Sequence, residues 1–540
     1  MTELDRRLLE NRIDALLEPW RARPMPGISV GVAQGGALLA HRHAGFASLE
    51  LGVPIGPQTR FRIASVSKQF TCAAILLLAQ RGRLDVEQPV RSLLPELPKA
   101  YAGITVAQLM HNTSGIRDML EIMRQGGADL GTPITEADLM AGICRQRSLN
   151  FTPGTRYLYS NSNFFLLGRI VEQLSGQPLA AFLEAEIFGP LGMTGTRHTP
   201  DLLVPQINLA SGYLAKGDGF IRAPHAFPLG GEGGLVSSVT DLLLWAHNRG
   251  TRQVPGAPVL AAMERATPFV NGTANMYARG LVARPYRGHA TFSHGGLWPG
   301  YRTEFLRVPG LDLAVVAISN NGASDPNLLA HRVLDILLDG MGAPATPRLP
   351  PRDALSAMAG RFLHEASGAT LDITVAEDGT PTLSTNGVPT IAEATEDGRL
   401  TMPRGSSVFT VAPAGPDAVL VEQDAGIAAT WQRVSDGAAL PADLAGRYRS
   451  DEMDATWTFA PETDGTAEGM VVRAAGPVVH GPAWPVSPIT KADIRVHVPS
   501  TLMRAWLDVR VMRGADGAIT ELVVHGGRAK AVHFHRLPGG

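Results

Sequence analysis

Residues 340–351 divide the chain into two parts that differ in pattern. The stretch holds four prolines and two glycines, a composition that suits neither a helix nor a central strand. Helix-like and strand-like segments alternate before it, whereas short β-like runs separated by Asp-Gly turn signals dominate after it. Because the 540 residues exceed one domain of about 100–200 residues, we expect a domain boundary here and a mostly β tail.

The tail contains an internal repeat. Ala-Gly-Arg-Phe at 359–362 recurs 86 residues later as Ala-Gly-Arg-Tyr at 445–448, and the same offset relates Ala-Thr at 369–370 to Ala-Thr at 455–456. Matches in register indicate a duplicated domain, so we predict two small barrel-like or sandwich-like β domains. The second copy is longer, and residues 476–500 hold five prolines that do not suit a strand interior. We therefore expect a long loop there.

Composition and charge exclude several classes of partner. A formal net charge of -2 gives no reason to expect nucleic acid or an anionic membrane surface. Apolar residues in the stretch 4–17 follow helical spacing with charges interleaved, which predicts an amphipathic helix and not a signal peptide. No apolar run approaches the roughly 20 residues that cross a bilayer. Cys72 and Cys144 are expected to be free thiols, and the expected compartment is the cytoplasm.

Ser65 and Lys68 form the sharpest chemical signal in the sequence. Three residues of separation place a hydroxyl and an amine on adjacent positions of a helix. The chain has only five lysines among its 48 basic residues, and no other lysine has a serine three positions before it. A desolvated lysine can act as a base, whereas an arginine cannot lose its proton near neutrality. The pair is therefore a candidate nucleophile and base, although a solvated helix lysine would explain the pattern alone.

Two further segments carry chemistry of a related kind. Tyr159 and Asn161 lie in a turn-rich loop before a helical pattern, and alone they would be a packed ring and a helix cap. His294 is followed by Gly295 and Gly296, which allow the backbone to approach a ligand closely but alone would be a Gly-rich turn. The three sets are much more specific together than separately.

In their order along the chain, the three sets resemble the motifs of the penicillin-recognising serine hydrolases, the class C beta-lactamase-like family. That family pairs Ser-x-x-Lys with Tyr-x-Asn and with a Lys-Thr-Gly-like strand, which is His-Gly-Gly here. Within it, residues 65–72 and 446–455 are similar to the D-stereospecific aminopeptidases.

The resemblance implies a fold and a domain order. The fold class is an α/β (α+β) beta-lactamase/transpeptidase-like catalytic domain, with an antiparallel sheet flanked by helices, followed by two small antiparallel β-barrel domains. A loop of the last domain would be directed towards the active site. The expected limits are 1–340 for the catalytic domain, 341–352 for a linker, 353–437 for the first barrel and 438–540 for the second barrel, with the loop at 476–500.

The resemblance also implies a role for each residue of the three sets. Ser65 would be the acylated nucleophile, and Lys68 its proton acceptor or the group that tunes it. Tyr159, as a phenolate, would be the rival base and would pass a proton to the leaving amine. His294 would polarise Tyr159 or orient the substrate, and the N–H groups of Ser65 and Leu297 would form an oxyanion hole. No cofactor and no metal ion is expected.

The implied substrate is a small peptide or amide, bound by Asn161, Gly295, Gly296, Leu297 and Asp493. The implied function is release of an N-terminal D-amino acid through a serine acyl-enzyme, and beta-lactam-like compounds are expected inhibitors. A homodimer is the expected assembly.

The acid that should hold the substrate ammonium leaves the specificity open. In such aminopeptidases a loop of the last domain is expected to supply it, but residues 476–500 have no carboxylate at the expected tip, and Asp493 is the nearest acid. An esterase, an amidase, a D-specific endopeptidase or carboxypeptidase and a beta-lactamase-like hydrolase therefore stay open. So does a protein of another class, a catalytically silent peptide-binding or sensor protein.

A competing nucleophile motif and two histidine pairs carry weaker signals. Ser29 lies in Gly-Ile-Ser-Val-Gly, the nucleophile pattern of α/β-hydrolases, but that motif needs a sharp strand-to-helix turn and Ser29 lies inside a β-like run. His41 and His43, like His533 and His535, would share a strand face, yet no carboxylate accompanies them at the spacing of a metal site. We expect a packed strand serine and solvated or core histidines.

Overall fold

The computed structural model describes residues 3–538 except 130, 227, 340–346, 386, 388, 403–407, 436, 463–468 and 499–504. The predicted linker 341–352 thus lies in part outside the described residues, and a helix begins at Arg352 within it. The limits of the domains stay a prediction. No helix among the described residues is long and apolar enough to cross a membrane.

The helices lie almost entirely in the first part of the chain. They are α1 (Glu3–Leu17), α2 (Lys68–Gln80), α3 (Val106–Met110), α4 (Met119–Gln125), α5 (Glu136–Cys144), α6 (Asn161–Ser175), α7 (Leu179–Leu183), α8 (Gly189–Leu191), α9 (Val239–Thr251), α10 (Ala257–Met263), α11 (Pro326–Leu338) and α12 (Arg352–Met358). The amphipathic helix predicted at the N-terminus is confirmed by α1, because Leu9, Ile13 and Leu17 are buried in the core.

The first part of the chain is built on one six-stranded antiparallel sheet. Its strands and those of three small sheets are β1 (Ile28–Gln34), β2 (Ala37–Ala44), β3 (Phe46–Ser48), β4 (Val53–Pro54), β5 (Phe61–Arg62), β6 (Arg197–His198), β7 (Tyr213–Lys216), β8 (Gly219–Arg222), β9 (Leu235–Ser237), β10 (Val282–Tyr286), β11 (His289–Trp298), β12 (Tyr301–Val308) and β13 (Leu313–Ser319). The order in the large sheet is β10-β11-β12-β13-β1-β2. Helices α1 and α11 cover one face, and α9 covers the other face together with the buried helix α2.

The tail is almost all antiparallel β. Its strands are β14 (Gly360–His364), β15 (Ala369–Val375), β16 (Pro381–Ser384), β17 (Thr390–Ile391), β18 (Glu393–Ala394), β19 (Leu400–Thr401), β20 (Phe409–Gly415), β21 (Ala418–Gln423), β22 (Ile427–Arg433), β23 (Gly446–Ser450), β24 (Ala455–Pro461), β25 (Met470–Ala475), β26 (His480–Pro488), β27 (Asp493–Val498), β28 (Ala505–Arg513), β29 (Ile519–Gly526) and β30 (Ala529–Arg536). Strands β23 to β30 form a closed barrel, the C-terminal barrel. Strands β14 to β22 form a nine-stranded sheet whose edge strands β17 and β18 are separated by one residue, so it is nearly closed.

The predicted duplication is visible in how the two β units close. In the first unit Phe362 of β14 pairs with Arg433 of β22, and in the second unit Tyr448 of β23 pairs with Arg536 of β30. In both units the arginine guanidinium lies over the paired ring, at 4.8 Å and 5.5 Å from the ring centroid. The repeated sequence therefore marks the first strand of each copy.

The prediction of a long loop at 476–500 is wrong for most of that segment. The described part of this segment forms strands β26 and β27 of the C-terminal barrel. Pro482 and Pro485 are tolerated because β27 pairs only with Val486–Pro488, so that among the described residues positions 480–485 of β26 pair with β25 alone. Residues 499 and 500 lie outside the described residues.

A buried ion pair joins the first part of the chain to the C-terminal barrel. Arg117 Nη1 lies 2.8 Å from Glu452 Oε1, and the two side chains are 0% and 11% exposed. The same Glu452 oxygen accepts hydrogen bonds from the backbone N–H groups of Arg147 and Ser148. Removal of one partner of such a pair leaves a buried charge without compensation.

We predict that Glu452→Ala lowers the free energy of unfolding by about 3–5 kcal/mol, because it leaves the buried Arg117 guanidinium without its counter-charge. The neighbouring Asp451 provides a matched control, since its pair with Arg147 is exposed on both sides and its removal should cost about 0–1 kcal/mol. Urea unfolding followed by tryptophan fluorescence measures both. Equal effects of the two substitutions would show that the interface does not depend on the buried pair.

Candidate active site

Ser65 lies in a short 3-10 turn, Ala64–Ser67, that runs directly into α2. Lys68 begins the α-helix, and its Nζ donates a hydrogen bond to Ser65 Oγ at 3.1 Å. Ala64, the residue before the predicted nucleophile, has a φ of +48°, a left-handed conformation that is uncommon for a residue with a Cβ and clusters at functional sites. The structure thus brings the two predicted side chains into contact at a constrained turn.

The Lys68 side chain is fully buried and is held by three acceptors. Besides Ser65 Oγ, its Nζ donates to Asn161 Oδ1 at 2.9 Å and to the backbone oxygen of Glu232 at 2.6 Å. Burial disfavours the ammonium form and lowers the pKa of Lys68. A lysine with a lowered pKa has an available lone pair nearer to neutral pH, so it can accept a proton from Ser65.

Sequence reasoning missed the contribution of Glu232. Its buried carboxyl accepts a hydrogen bond from the Gly230 N–H through Oε1, while Oε2 has no hydrogen-bond partner among the residues that the structure describes. Burial raises the pKa of Glu232, and the nearby Lys68 charge opposes that rise. Glu232 therefore supplies the backbone oxygen that fixes Lys68 and a carboxyl whose charge responds to it. The only sequence signal was an acid between two pairs of glycines.

Asn161 begins α6 and is oriented by Asp118, a second residue that the sequence did not reveal. The backbone N–H and the Nδ2 of Asn161 both donate to Asp118 Oδ2, at 2.7 Å and 2.9 Å. Asp118 Oδ1 in turn accepts the N–H groups of Leu120 and Glu121 at the start of α4. This bonding turns the Asn161 amide oxygen towards Lys68. Asp118 has a recognisable signature as a helix N-cap, but its partner Asn161 is 43 residues away.

Tyr159 lies beside the predicted nucleophile, close enough for its phenol to interact with the Ser65 side chain. Lys68 Nζ lies 4.9 Å from the centroid of its ring. Burial raises the pKa of Tyr159, with the Ser65 side chain and the charge of Arg528 acting in the opposite direction. A phenol with a raised pKa is neutral at pH 7, so the geometry does not support the expected phenolate base.

His294 is buried and neutral rather than a substitute for the lysine charge. Burial lowers the pKa of His294 to about 3. Its Nδ1 lies 2.6 Å from the backbone oxygen of Gly295, which can only accept, so Nδ1 carries the proton and Nε2 accepts the hydroxyl of Tyr277 at 2.9 Å. The Tyr277 hydroxyl thereby occupies the acceptor nitrogen Nε2 of His294. Sequence reasoning missed Tyr277. The expected polarisation of Tyr159 by His294 has no hydrogen bond to carry it among the described residues.

Strand β11 presents Gly295, Gly296 and Leu297 at the edge of the sheet beside Ser65. Its pairing with β10 ends at Ser293, so the following residues have no β10 partner within the described part of the chain. A Cβ on Gly296 would lie 2.3 Å from the backbone oxygen of Ile63. Only glycine lets β11 lie this close to the segment that leads into Ser65. The oxyanion hole of the Ser65 and Leu297 N–H groups stays a prediction.

These residues line one end of a large cleft, with a volume of 1490 Å³. Residues from the first part of the chain, the nearly closed sheet and the C-terminal barrel all contribute to its walls. They include Ser65, Tyr159, Asn161, Glu232, His294, Gly295, Gly296, Leu297, Thr390, Met402, Pro482, Trp484, Gly527 and Arg528. The cleft is larger than one amino acid.

Asp493 is the predicted site residue that the structure does not place in this cleft. Its carboxylate accepts hydrogen bonds from Arg510 Nε and Thr490 Oγ1, each at 2.8 Å, and it does not line the cleft. Asp493 lies at the start of β27, where the barrel meets Gly368 of the neighbouring β unit. The barrel lines the cleft through Pro482 and Trp484 of β26, and it reaches Tyr159 through the turn between β29 and β30, at Arg528.

The weaker motifs lie outside the cleft. Ser29 in β1 is buried, and its Oγ lies 3.0 Å from His41 Nε2 on the neighbouring strand. His533 and His535 lie on one face of β30, and both approach Glu521 of β29, a carboxylate that the sequence spacing did not reveal. Within the described ranges, no group of three His, Cys, Asp or Glu side chains could hold a metal ion.

Comparison with known sequences agrees with this geometry. The sequence profile of the family described as "Beta-lactamase" matches residues 9–338. The chain belongs to the beta-lactamase family. It is 28% identical to a D-aminopeptidase of Brucella anthropi over 99% of this chain and 100% of that protein. It is 30% identical to a D-aminopeptidase of Gluconobacter oxydans over 68% of this chain and 69% of that protein.

Solved structures of the beta-lactamase type share the fold. A D-amino acid amidase from Ochrobactrum anthropi SV3 in complex with D-phenylalanine has 25% identity and a TM-score of 0.54, over 61% of this chain and 98% of that one. An octameric penicillin-binding protein homologue from Pyrococcus abyssi has 19% identity and a TM-score of 0.55, over 97% of this chain and 99% of that one. The predicted family, fold class and serine-hydrolase nature of the chain are confirmed.

We predict that Gly296→Ala lowers the rate of Ser65 acylation by about 100-fold or more. The added Cβ would collide with the Ile63 oxygen and move β11 away from Ser65, and displacements of about 1 Å can cost this much. Gly310→Ala is the control, because no atom lies within 4 Å of its Cβ position. Stopped-flow hydrolysis of a p-nitrophenyl ester measures the rate. An unchanged rate in Gly296→Ala would contradict the close approach.

Proposed function

We propose that this member of the beta-lactamase family is a D-stereospecific aminopeptidase that releases an N-terminal D-amino acid from peptides, amides or esters. The observation that carries the proposal is the 3.1 Å contact between Ser65 Oγ and the buried Lys68 Nζ at the cleft. Relatives named D-aminopeptidase align over essentially the whole chain, and a D-amino acid amidase shares the fold of the first part. These relatives support the choice of substrate class.

Lys68 is the proton acceptor in this proposal. Its amine takes the proton of Ser65 Oγ as Oγ forms a bond to the substrate carbonyl carbon, and the developing oxyanion lies against the N–H groups of Ser65 and Leu297. The bond from the carbonyl carbon to the leaving nitrogen then breaks. That nitrogen takes the phenol proton of Tyr159, and Tyr159 is reprotonated at the expense of the Lys68 ammonium. A water molecule then attacks the Ser65 ester through the same series of proton transfers and releases the free amino acid.

His294 acts on the site through Tyr277 in this proposal. Its Nε2 holds the Tyr277 hydroxyl, and the Tyr277 and Tyr159 rings meet edge to face with centroids 6.1 Å apart. The His294 side chain also lines the cleft on β11, where it can contact substrate. Asn161, Gly295 and Gly296 are the proposed substrate-binding groups, through the amide of Asn161 and the exposed backbone of the strand.

The substrate class is tested with D- and L-alanine p-nitroanilides, each with a free or an acetylated amine. We predict turnover of the free D compound, at least about 100-fold faster than of the other three, and none in Ser65→Ala. Lys68→Met should lose at least about 1,000-fold in kcat/KM, whereas Lys99→Met, which changes an exposed lysine, should keep full activity. Indifference to acetylation would instead indicate an esterase, an amidase or a general D-peptidase. Absence of turnover with every compound would indicate a silent binding protein.

The pH dependence tests Lys68 as the base. Because the neutral amine is the active form and the pKa of Lys68 is lowered, we predict that kcat/KM rises as the pH is raised through that pKa. Asn161→Asp places a carboxylate where the amide oxygen lies 2.9 Å from Nζ. That charge favours the ammonium and should move the acidic limb up by about one pH unit or more.

The control for this shift is Asn163→Asp on the same helix. Asn163 is also buried, but its amide bonds to Asn112 and Ser114 rather than to Lys68. Asn163→Asp should therefore shift the acidic limb of the pH profile less than Asn161→Asp does. An acidic limb that stays in place in Asn161→Asp would show that Lys68 is not the base that titrates.

We also propose a homodimer in the cytoplasm, with beta-lactam-like compounds as acylating inhibitors. The assembly rests on the sequence expectation together with the octameric state named for the Pyrococcus abyssi homologue. Light scattering of the full chain tests the assembly, cell fractionation tests the compartment, and intact-protein mass after exposure to benzylpenicillin tests acylation.

A further inference from the structure

The turn between β29 and β30 carries Arg528 from the C-terminal barrel into the catalytic end of the cleft. Gly527 and Arg528 form the tip, and both line the cleft. The Arg528 backbone oxygen accepts hydrogen bonds from the Asp118 N–H at 3.2 Å and from Asn150 Nδ2 at 3.1 Å. The tip is therefore fastened to the same segment that orients Asn161. Its position is set by the backbone and does not depend on the arginine side chain.

The guanidinium of Arg528 stands beside the catalytic tyrosine. Its Cζ lies 5.6 Å from the centroid of the Tyr159 ring, and the Tyr159 phenol interacts with the nucleophile Ser65. The Arg528 side chain is 26% exposed, so it is accessible from the cleft. The Tyr159 ring therefore separates the permanent positive charge of Arg528 from the Ser65 hydroxyl.

The two acidic side chains near Arg528 accept no hydrogen bond from its guanidinium. Asp118 Oδ2 is 3.5 Å from Nη1, and Glu121 Oε1 is 3.9 Å from Nε. Asp118 already accepts four N–H groups, two from Asn161 and two at the start of α4. Glu121 is paired with Arg124. Among the described residues, none accepts a hydrogen bond from the Arg528 side chain, which leaves its donors directed to a ligand.

We propose that Arg528 binds the free C-terminal carboxylate of a short peptide substrate, so that the enzyme selects dipeptides and tripeptides with an N-terminal D-residue. The inference rests on the proposed aminopeptidase function, because an acyl group of one residue places any further anionic group on the leaving side of the scissile bond. The planar fork of a guanidinium matches a carboxylate in two parallel hydrogen bonds. A peptide spans about 3.5 Å per residue. The separation of the Arg528 guanidinium from Ser65, across the Tyr159 ring, therefore fits a carboxylate one or two residues beyond the scissile bond.

The test compares D-alanyl-glycine with D-alanyl-glycinamide, which differ only in the carboxylate. The wild-type enzyme should prefer the acid by about tenfold or more in kcat/KM, because a charge-assisted bidentate pair contributes about this much. Arg528→Gln should remove the preference between the two substrates, mainly by raising KM for the acid. Arg528→Lys should retain part of it. Arg473→Gln, which changes an exposed arginine of the same barrel, should behave as the wild type.

A measurement on the unchanged enzyme keeps the proposal testable if the variants do not fold. N-acetylglycine should inhibit hydrolysis of D-alanine p-nitroanilide at about tenfold lower concentration than its amide. Equal inhibition by the two, or equal loss on both dipeptide substrates in a folded Arg528→Gln, overturns the assignment of the carboxylate to Arg528. Turnover of the p-nitroanilide without any preference for the acid overturns this inference alone. Absence of turnover on all three D-alanyl substrates overturns the proposed function with it.

Discussion

The burial of Lys68 is the constraint on which the rest of the site depends. An ammonium taken out of water is costly unless acceptors surround it, and here the acceptors come from three separate elements, the turn at Ser65, the start of α6 at Asn161, and the loop at Glu232. The same burial lowers the pKa of Lys68. One physical fact, desolvation of an amine, thus dictates both how these elements pack together and why the amine can accept a proton.

The acceptors are themselves held in place by a chain of hydrogen bonds that reaches the barrel. Asp118 orients Asn161, and the backbone N–H of Asp118 is bonded to Arg528 on the turn between β29 and β30. The buried pair of Arg117 and Glu452 fastens the same segment to the barrel a few residues away. The C-terminal barrel therefore contributes residues to the wall of the cleft that holds Ser65.

Much of the architecture could be predicted from the sequence because it depends on local patterns. The duplicated first strand of each β unit and the amphipathic N-terminal helix both follow from periodicity and turn residues. The loop at 476–500 was predicted wrongly because the prolines there argue against a strand paired on both sides, whereas positions 480–485 of β26 pair with β25 alone among the described residues. Partial pairing is a tertiary property that proline content does not show.

The sequence by itself determined the serine-hydrolase class of the chain, since the spacing and residue types of Ser65, Lys68, Tyr159 and His294 resemble the motifs of that class. A spacing of three residues on a helix is enough to bring a hydroxyl and an amine together. Only the tertiary structure decided the charge states and the specificity groups. A neutral His294, a neutral Tyr159 and a lowered pKa for Lys68 all follow from burial, which depends on what surrounds a side chain. Asp118, Glu232, Tyr277 and Arg528 join the site from distant positions because folding, and not adjacency in the chain, sets the distances over which charges and hydrogen bonds act.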